Sequence, residues 1–331
     1  MQHRRVGRSG LHVSEIAFGT WIGRTEGAME EAAREALRLG VTTFDTADAY
    51  AATRAEVVLG RALRGVRRES VEICTKVFAP VGPGRNDRGL SRKHVMEAAR
   101  ASLRRLRTDY IDLYHAHRFD ERTPLEETLI AFDDLVRQGK VLYFGVSEWT
   151  AAQIAQALRV AGELGLTRIV ANQPQYNMLW RVAETEIMPL CRSEGISQLA
   201  WSPLAQGVLT GKYAPGAVPP ADSRAAGPAA VKFSDGALTD DVLTRVARLA
   251  PIAGDLGATL SQLALAWLLH KPDVAAAIVG ASRPEQLADT VAASGITLTD
   301  DVVASIDEVL EPVVERDPAK TPSQPTDYRA G

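Results

Sequence analysis

The sequence predicts an α/β chain folded as one (β/α)8 TIM barrel, with an N-terminal β-hairpin and long loops on the C-terminal face. Three observations carry this. Eight short apolar runs occur, almost every one followed by a longer amphipathic run, the pattern of parallel strands joined by helical crossovers. A length of 331 residues suits eight such units in a single closed barrel over 1–331. The structural rival, an open doubly wound sheet, expects GxGxxG after its first strand, and none occurs there.

The strand-like runs are "EIAFGT" (15–20), "TTFD" (42–45), "VEICTK" (71–76), "YIDLYHAH" (110–117), "VLYFGVS" (141–147), "RIVANQ" (168–173), "SQLAWSP" (197–203) and "AAAIVGAS" (275–282). Helical periodicity runs over 28–40, ending at a glycine suited to a C-cap, and near 54–63, 91–106, 124–138, 150–163, 183–194 and 259–270. Before the first strand, "RRVGRSGLHV" (4–13) reads as a hairpin on the barrel floor, with Gly7 and Gly10 supplying turn geometry. "APVGPGRNDRGLS" (79–91) is a long loop after the third strand, and the Pro/Gly/Ala-rich 212–236 follows the seventh. Such loops in a compact domain are usually functional. The tail 315–331 reads as irregular.

Composition narrows the function class. With 46% hydrophobic and 24% charged residues the chain reads as soluble and globular. A formal charge of −3 gives no basic excess for nucleic acid. No apolar run nears the roughly 20 residues of a membrane span, so no membrane insertion is expected. The basic N-terminus is followed by no apolar core and does not read as a secretory signal. Cys74 and Cys191 have no metal-ligand or CxxC spacing, so no metal is expected, and two isolated cysteines fit a reduced, cytoplasmic setting.

The chemistry gathers at strand exits, where barrel enzymes place it. The second strand ends in Asp45, with Tyr50 in the loop beyond. The third ends in Lys76. The fourth ends in His117, with His115 two positions earlier on the same side. A lysine at the end of an apolar strand needs a partner, and Asp45 is one strand away. A cation beside a phenol favours phenolate, so Lys76 is expected to lower the Tyr50 pKa and make it a usable proton donor. A histidine can orient a carbonyl oxygen. The plain alternative is a structural Asp45–Lys76 ion pair beside a packed tyrosine. Four such groups on three successive strands favour the chemical reading: protonation of a carbonyl oxygen during hydride delivery.

"FDTADAY", "TKVFA" and "IDLYHAH" resemble the site-bearing segments of the aldo-keto reductases, over nearly the whole chain. "AEVVLGRAL", "RGLSRKHV", "WSPLAQGVLTGKY" and "GASRPEQL" resemble the branch containing the β subunits of voltage-gated potassium channels and related bacterial reductases. The resemblance implies a tetrad of Asp45, Tyr50, Lys76 and His117 with Tyr50 as general acid. It also implies NADPH/NADP+ bound across the barrel top without a dinucleotide-binding fold. Ser147 and Gln173 match the carboxamide contacts, and Trp201 the aromatic wall against the nicotinamide. Thr20 and Trp21 are also expected among the cofactor-binding residues. Ser202, Pro203, Leu204 and Gly207 match the pyrophosphate segment. Lys212, Arg224, Gly280, Ser282 and Gln286 match the phosphate and adenosine side, where two cations favour a 2′-phosphate. Read alone, "GVLTGKY" is a plain loop, since as a P-loop it is too short between its glycines and lacks Ser/Thr after Lys212.

Some positions depart from the family pattern. Glu148 stands where many relatives have asparagine, and Thr290 where many have asparagine near the adenine. The channel β subunits carry asparagine at the fourth tetrad position, whereas this chain keeps His117. Trp21, Phe78, Trp149 and Trp180, at or beyond strand ends, are expected to shape a pocket for an apolar or ring-bearing carbonyl. The reading is therefore an NADPH-dependent aldehyde/ketone reductase acting on a small-molecule carbonyl, compatible with a homo-oligomer. Two alternatives stay open: a cofactor-sensing accessory subunit, and a reductase of a nucleotide-linked keto-deoxysugar.

Overall fold

The computed structural model describes residues 1–21, 25–221, 223–226, 237–281, 283 and 285–321. A two-stranded antiparallel hairpin, β1 (His3–Arg5) and β2 (His12–Ser14), precedes the barrel. Eight parallel strands then close on themselves: β3 (Ile16–Gly19), β4 (Thr43–Asp45), β5 (Glu72–Val77), β6 (Ile111–Ala116), β7 (Val141–Ser147), β8 (Ala171–Gln173), β9 (Ser197–Trp201) and β10 (Val274–Val279), with β10 pairing back onto β3. The helices are α1 (Glu26–Arg38), α2 (Arg54–Ala62), α3 (Arg92–Leu106), α4 (Leu125–Arg137), α5 (Ala151–Leu164), α6 (Ile187–Glu194), α7 (Asp240–Ala247), α8 (Ala250–Asp255), α9 (Leu260–His270), α10 (Glu285–Val291) and α11 (Asp300–Leu310). The sequence-based reading lacks α7, α8, α10 and α11. A signal for two of them is present, because Thr239 and Thr299 each cap a helix whose first turn carries two aspartates.

Strand alternation builds two cores. Phe18, Phe44, Ile73, Tyr114 and Phe144 point outward and are buried beneath the helices. Ala17, Cys74, Leu113, Ala171 and Leu199 fill the barrel interior with smaller groups. Following the interior face toward the C-terminal ends, side chains change from apolar to polar within one step: Cys74 to Lys76, Leu113 to His115, Ala171 to Gln173. Register aligns them, with Lys76 opposite His115 and Ser147 opposite Gln173.

The hairpin packs under the barrel: Val6 and Val13 join the interior cluster, and the Gly7 N–H donates to Ser197 Oγ at 2.7 Å. Gly7 has φ +54°, and a Cβ there would lie 2.2 Å from the Gly195 carbonyl oxygen. Gly10 corrects the expectation, since its φ is not positive and a Cβ would meet only the Tyr143 hydroxyl at 4.0 Å. Only Gly7 is required by the turn. The tail is not wholly irregular either. Glu315 bridges Trp180 in a strand-like pair, and Pro318–Lys320 forms a short 3-10 turn. Residues 322–331, and 222 and 227–236 of the expected long loop, lie outside the described residues.

Candidate active site

The loop after β4 carries the candidate proton donor. Its backbone first prolongs the β4–β5 ladder, with Thr46 N–H donating to the Cys74 carbonyl at 2.9 Å and Asp48 N–H to the Lys76 carbonyl at 3.2 Å. Three consecutive residues, Ala51, Ala52 and Thr53, then take left-handed backbone at φ +49°, +49° and +70°. That run turns the chain into α2 and leaves Tyr50 over the barrel mouth. Residues held in this region store strain that the surroundings must hold in place.

Lys76 is fully buried and donates to Asp45 Oδ1 at 2.6 Å and to the Thr46 carbonyl at 2.7 Å. The other Asp45 oxygen accepts from Gln173 Nε2 at 2.8 Å. Lys76 Nζ lies 4.8 Å from the centroid of the Tyr50 ring. The Tyr50 ring stands edge-on to His117, centroids 5.7 Å apart, and to Trp21, 4.8 Å apart. The tetrad expected from the strand exits is thus one contiguous cluster.

Its electrostatics refine the expectation for Tyr50. Burial is the largest influence and pushes the phenol up. Lys76 pulls it down, Asp45 pushes it up, and the net shift is upward. The expected lowering is therefore corrected: Lys76 acts in the anticipated direction, and desolvation outweighs it. Burial also pulls the Lys76 ammonium down, but Asp45 and then Tyr50 outweigh it, and Lys76 ends above its ordinary value. It stays a cation. His117 is held well below the ordinary histidine value by burial, then by Arg118 and Lys76. His115, inside the barrel, is lowered to about 3 by burial and then Lys76. Both imidazoles are neutral near pH 7, so His117 can donate one N–H to an oxygen without adding charge. Arg118, which the sequence reading passed over, donates from Nη1 to the His117 carbonyl at 2.6 Å. Its position beside His117 was the available signal.

The remaining predicted residues fall around this cluster. Ser147 is buried and its hydroxyl donates to the Gln173 carbonyl at 2.9 Å. Thr20 and Ser202 are placed with buried hydroxyls that have no partner among the described residues. Trp201 ends β9, and its indole N–H donates to Glu148 Oε1 at 2.7 Å. The segment after it, through Pro203 and Leu204, has left-handed backbone at Ser202, Ala205, Gln206 and Gly207. Lys212 folds back onto Gly207, where a Cβ would lie 2.5 Å from its Nζ. Arg224 is half-buried, and burial pulls its guanidinium down while Tyr213 opposes this. Gly280 is exposed just beyond β10, and Gln286 lies in α10. Ser282 lies outside the described residues. Thr290 turns its hydroxyl onto its own helix, 3.2 Å from the Gln286 carbonyl and 3.1 Å from that of Leu287.

Among the pocket candidates, Trp21 is 52% exposed beside Tyr50. Phe78 and Trp149 are buried, and Trp149 packs edge-on against Phe119 at 4.8 Å. Trp180 lines a groove with Gln175, Asn177, Leu179 and Gln206. A dinucleotide fits these residues. The Ser202 hydroxyl is unsatisfied, the 202–207 turn offers the unusual backbone on which anion-binding concavities are built, and Lys212 lies over its glycine. Among the described residues no group of His, Cys, Asp and Glu is arranged to hold a metal, and no single helix is long and apolar enough to cross a membrane.

Comparison with known proteins gives the same frame. Residues 15–311 match the profile of the aldo/keto reductase family. A probable voltage-gated potassium channel subunit beta of Arabidopsis thaliana is 42% identical over 338 aligned positions, covering 99% of this chain and 100% of that protein. A protein so described from Oryza sativa subsp. japonica is 42% identical, covering 98% and 99% of the two chains. A putative one from Schizosaccharomyces pombe is 41% identical, covering 93% and 92%.

Proposed function

Because the chain belongs to the aldo/keto reductase family of oxidoreductases, we propose that it reduces aldehydes and ketones with NADPH, using Tyr50 as general acid. The observation that carries this reading is the buried Asp45–Lys76 pair set against Tyr50 beside a neutral His117. When bound, a nicotinamide cofactor supplies the hydride. The chain's own residues do the rest. His117 and Tyr50 converge on one oxygen position. Tyr50 delivers its proton there as negative charge develops, and Lys76 stabilises the phenolate left behind. Asp45, tied to Gln173, keeps Lys76 aimed at the phenol. Ser147, Gln173 and Trp201 hold the nicotinamide end, the 202–207 turn the pyrophosphate, and Lys212 and Arg224 the 2′-phosphate. A rim bearing Trp21 favours an apolar or ring-bearing carbonyl. Mixing NADPH-loaded protein with an aromatic aldehyde tests this: cofactor absorbance falls with the loss of aldehyde. No oxidation with any aldehyde, ketone or keto-sugar overturns it.

The relatives' description as channel β subunits favours a second reading, an accessory subunit; on that reading we propose that the chain binds the cofactor as a sensor and turns over slowly. A neutral His117 beside Tyr50 argues for catalysis. Stopped-flow oxidation of bound NADPH separates the two, because a sensor reacts very slowly with every carbonyl. A cytoplasmic location and a homo-oligomer belong to the same proposal.

A further inference from the structure

Glu148 is a buried carboxylate at the barrel mouth that the proton-transfer unit does not use. It directly follows β7 and has φ +57°. Left-handed backbone suits asparagine, whose short side chain bonds locally, and is less favourable for glutamate. What glutamate adds is reach. Its Oε1 accepts the Trp201 indole N–H at 2.7 Å and also the Gln175 backbone N–H. One oxygen therefore ties the exits of three neighbouring strands, β7, β8 and β9.

The rest of Trp201 is held by its backbone and by apolar packing against the interior cluster. Its N–H donates to the Pro174 carbonyl at 3.0 Å, and its carbonyl accepts from Tyr176 N–H at 3.3 Å. These bonds fix where the side chain starts, and the apolar contacts, being non-directional, do not by themselves specify the ring plane. The indole bond to Glu148 is the directional polar contact that sets the ring plane. We propose that Glu148 is a positioning residue that fixes the Trp201 indole plane and thereby the surface on which the nicotinamide rests. The last clause depends on Trp201 being the nicotinamide wall; the Glu148–Trp201 tie does not.

The test uses the full-length protein and four variants: Glu148→Ala, Glu148→Gln, Glu148→Asp and Trp201→Phe. Near-UV circular dichroism of cofactor-free protein reads the tie. Glu148→Ala should alter the tryptophan bands, Glu148→Gln should restore them, and Glu148→Asp, one methylene shorter, should not. Fluorescence titration with NADPH reads the consequence. Glu148→Ala should raise Kd about 10-fold, Glu148→Gln should recover most of that loss, and Glu148→Ala should add less than about 2-fold in the Trp201→Phe background. An unchanged spectrum in Glu148→Ala overturns the tie. An undiminished loss in the Trp201→Phe background overturns the positioning role, because Glu148 then acts through the Gln175 segment. If Glu148→Ala does not fold, the contrast between Gln and Asp decides: equal behaviour of the two overturns the proposal. If the wild-type protein binds no NADPH, the cofactor reading fails, and the spectra still decide the tie.

Discussion

Tyr50→Phe removes one hydroxyl and leaves a ring that still packs against Trp21 and His117. NADPH binding should persist, and single-turnover oxidation with an aromatic aldehyde should fall about 100- to 10,000-fold, the usual span of general acid catalysis. Lys76→Met should cause a similar loss by removing the cation that stabilises the phenolate. It also strands a buried Asp45 and should cost about 3 kcal/mol of stability, read by chemical denaturation. The two kinetic losses should not multiply in the double variant, since both disable one proton-transfer unit. Near-wild-type rates in Tyr50→Phe would remove Tyr50 from the chemistry. At the other end of the site, Lys212 and Arg224 should favour a 2′-phosphate by charge-assisted bonds of about 1.5–3 kcal/mol each. Lys212 is exposed, so its share belongs at or below the low end. Titrations should show NADPH binding at least about 10-fold tighter than NADH, with the difference shrinking in Lys212→Met and Arg224→Met. Equal affinities in the wild-type protein would sink the assignment.

The loop between β4 and α2 rests on a buried polar layer. Glu56 is fully buried, with one oxygen accepting from the Thr75 hydroxyl at 2.6 Å and the other from Arg105 Nε at 2.6 Å. Beside it Asp48 is also fully buried, and among the described residues neither of its carboxyl oxygens finds a partner within ordinary hydrogen-bond geometry. Burial, then the Glu56 charge, pushes the Asp48 carboxyl well above the ordinary aspartate value of 3.8, while Arg105 and Lys76 pull back. With the folded pKa above the unfolded one, the folded state holds its proton longer. Stability contributed by protonated Asp48 is therefore complete below about pH 3.8 and declines as pH rises toward the folded pKa. Asp48→Asn has no proton to lose. It should be more stable than wild type near pH 8, with the advantage fading toward pH 4, as followed by denaturant unfolding at several pH values. A constant difference across that range would mean that Asp48 is ionised in the fold.

Across the whole molecule, stability and chemistry occupy opposite ends of the barrel. Gly7 lies at the closed end, its left-handed backbone pressed against the Gly195 and Val170 carbonyls. Gly7→Ala should lower the melting temperature by several degrees, about 2 kcal/mol in a chain of this size, and leave turnover of the folded protein nearly unchanged. Gly10→Ala, facing open space and ordinary backbone, should change neither melting temperature nor turnover. A selective loss of turnover in Gly7→Ala at unchanged melting temperature would contradict this division.

The eight-fold alternation and the polar residues at strand exits were legible in the chain, because strand period and hydrophobic pattern are local properties. So was the Asp45–Lys76 partnership, which adjacent parallel strands made close to unavoidable. Of the four late helices, α8 and α10 are too short to show a clear period, whereas α7 and α11 carried a threonine cap and paired aspartates that the reading passed over. Three matters at the site needed the closed barrel. The net direction of the Tyr50 pKa depends on how deeply the phenol is buried, a sum over neighbours from several strands. Gln173 reaches Asp45 across 128 positions of sequence because β8 and β4 face each other through the interior. The partner of Glu148 is Trp201, 53 positions away, and an acceptor at the end of one strand cannot show which donor the next strands will present. Residue types and their order along a strand are written locally, whereas burial and cross-barrel partners exist only once the sheet has closed.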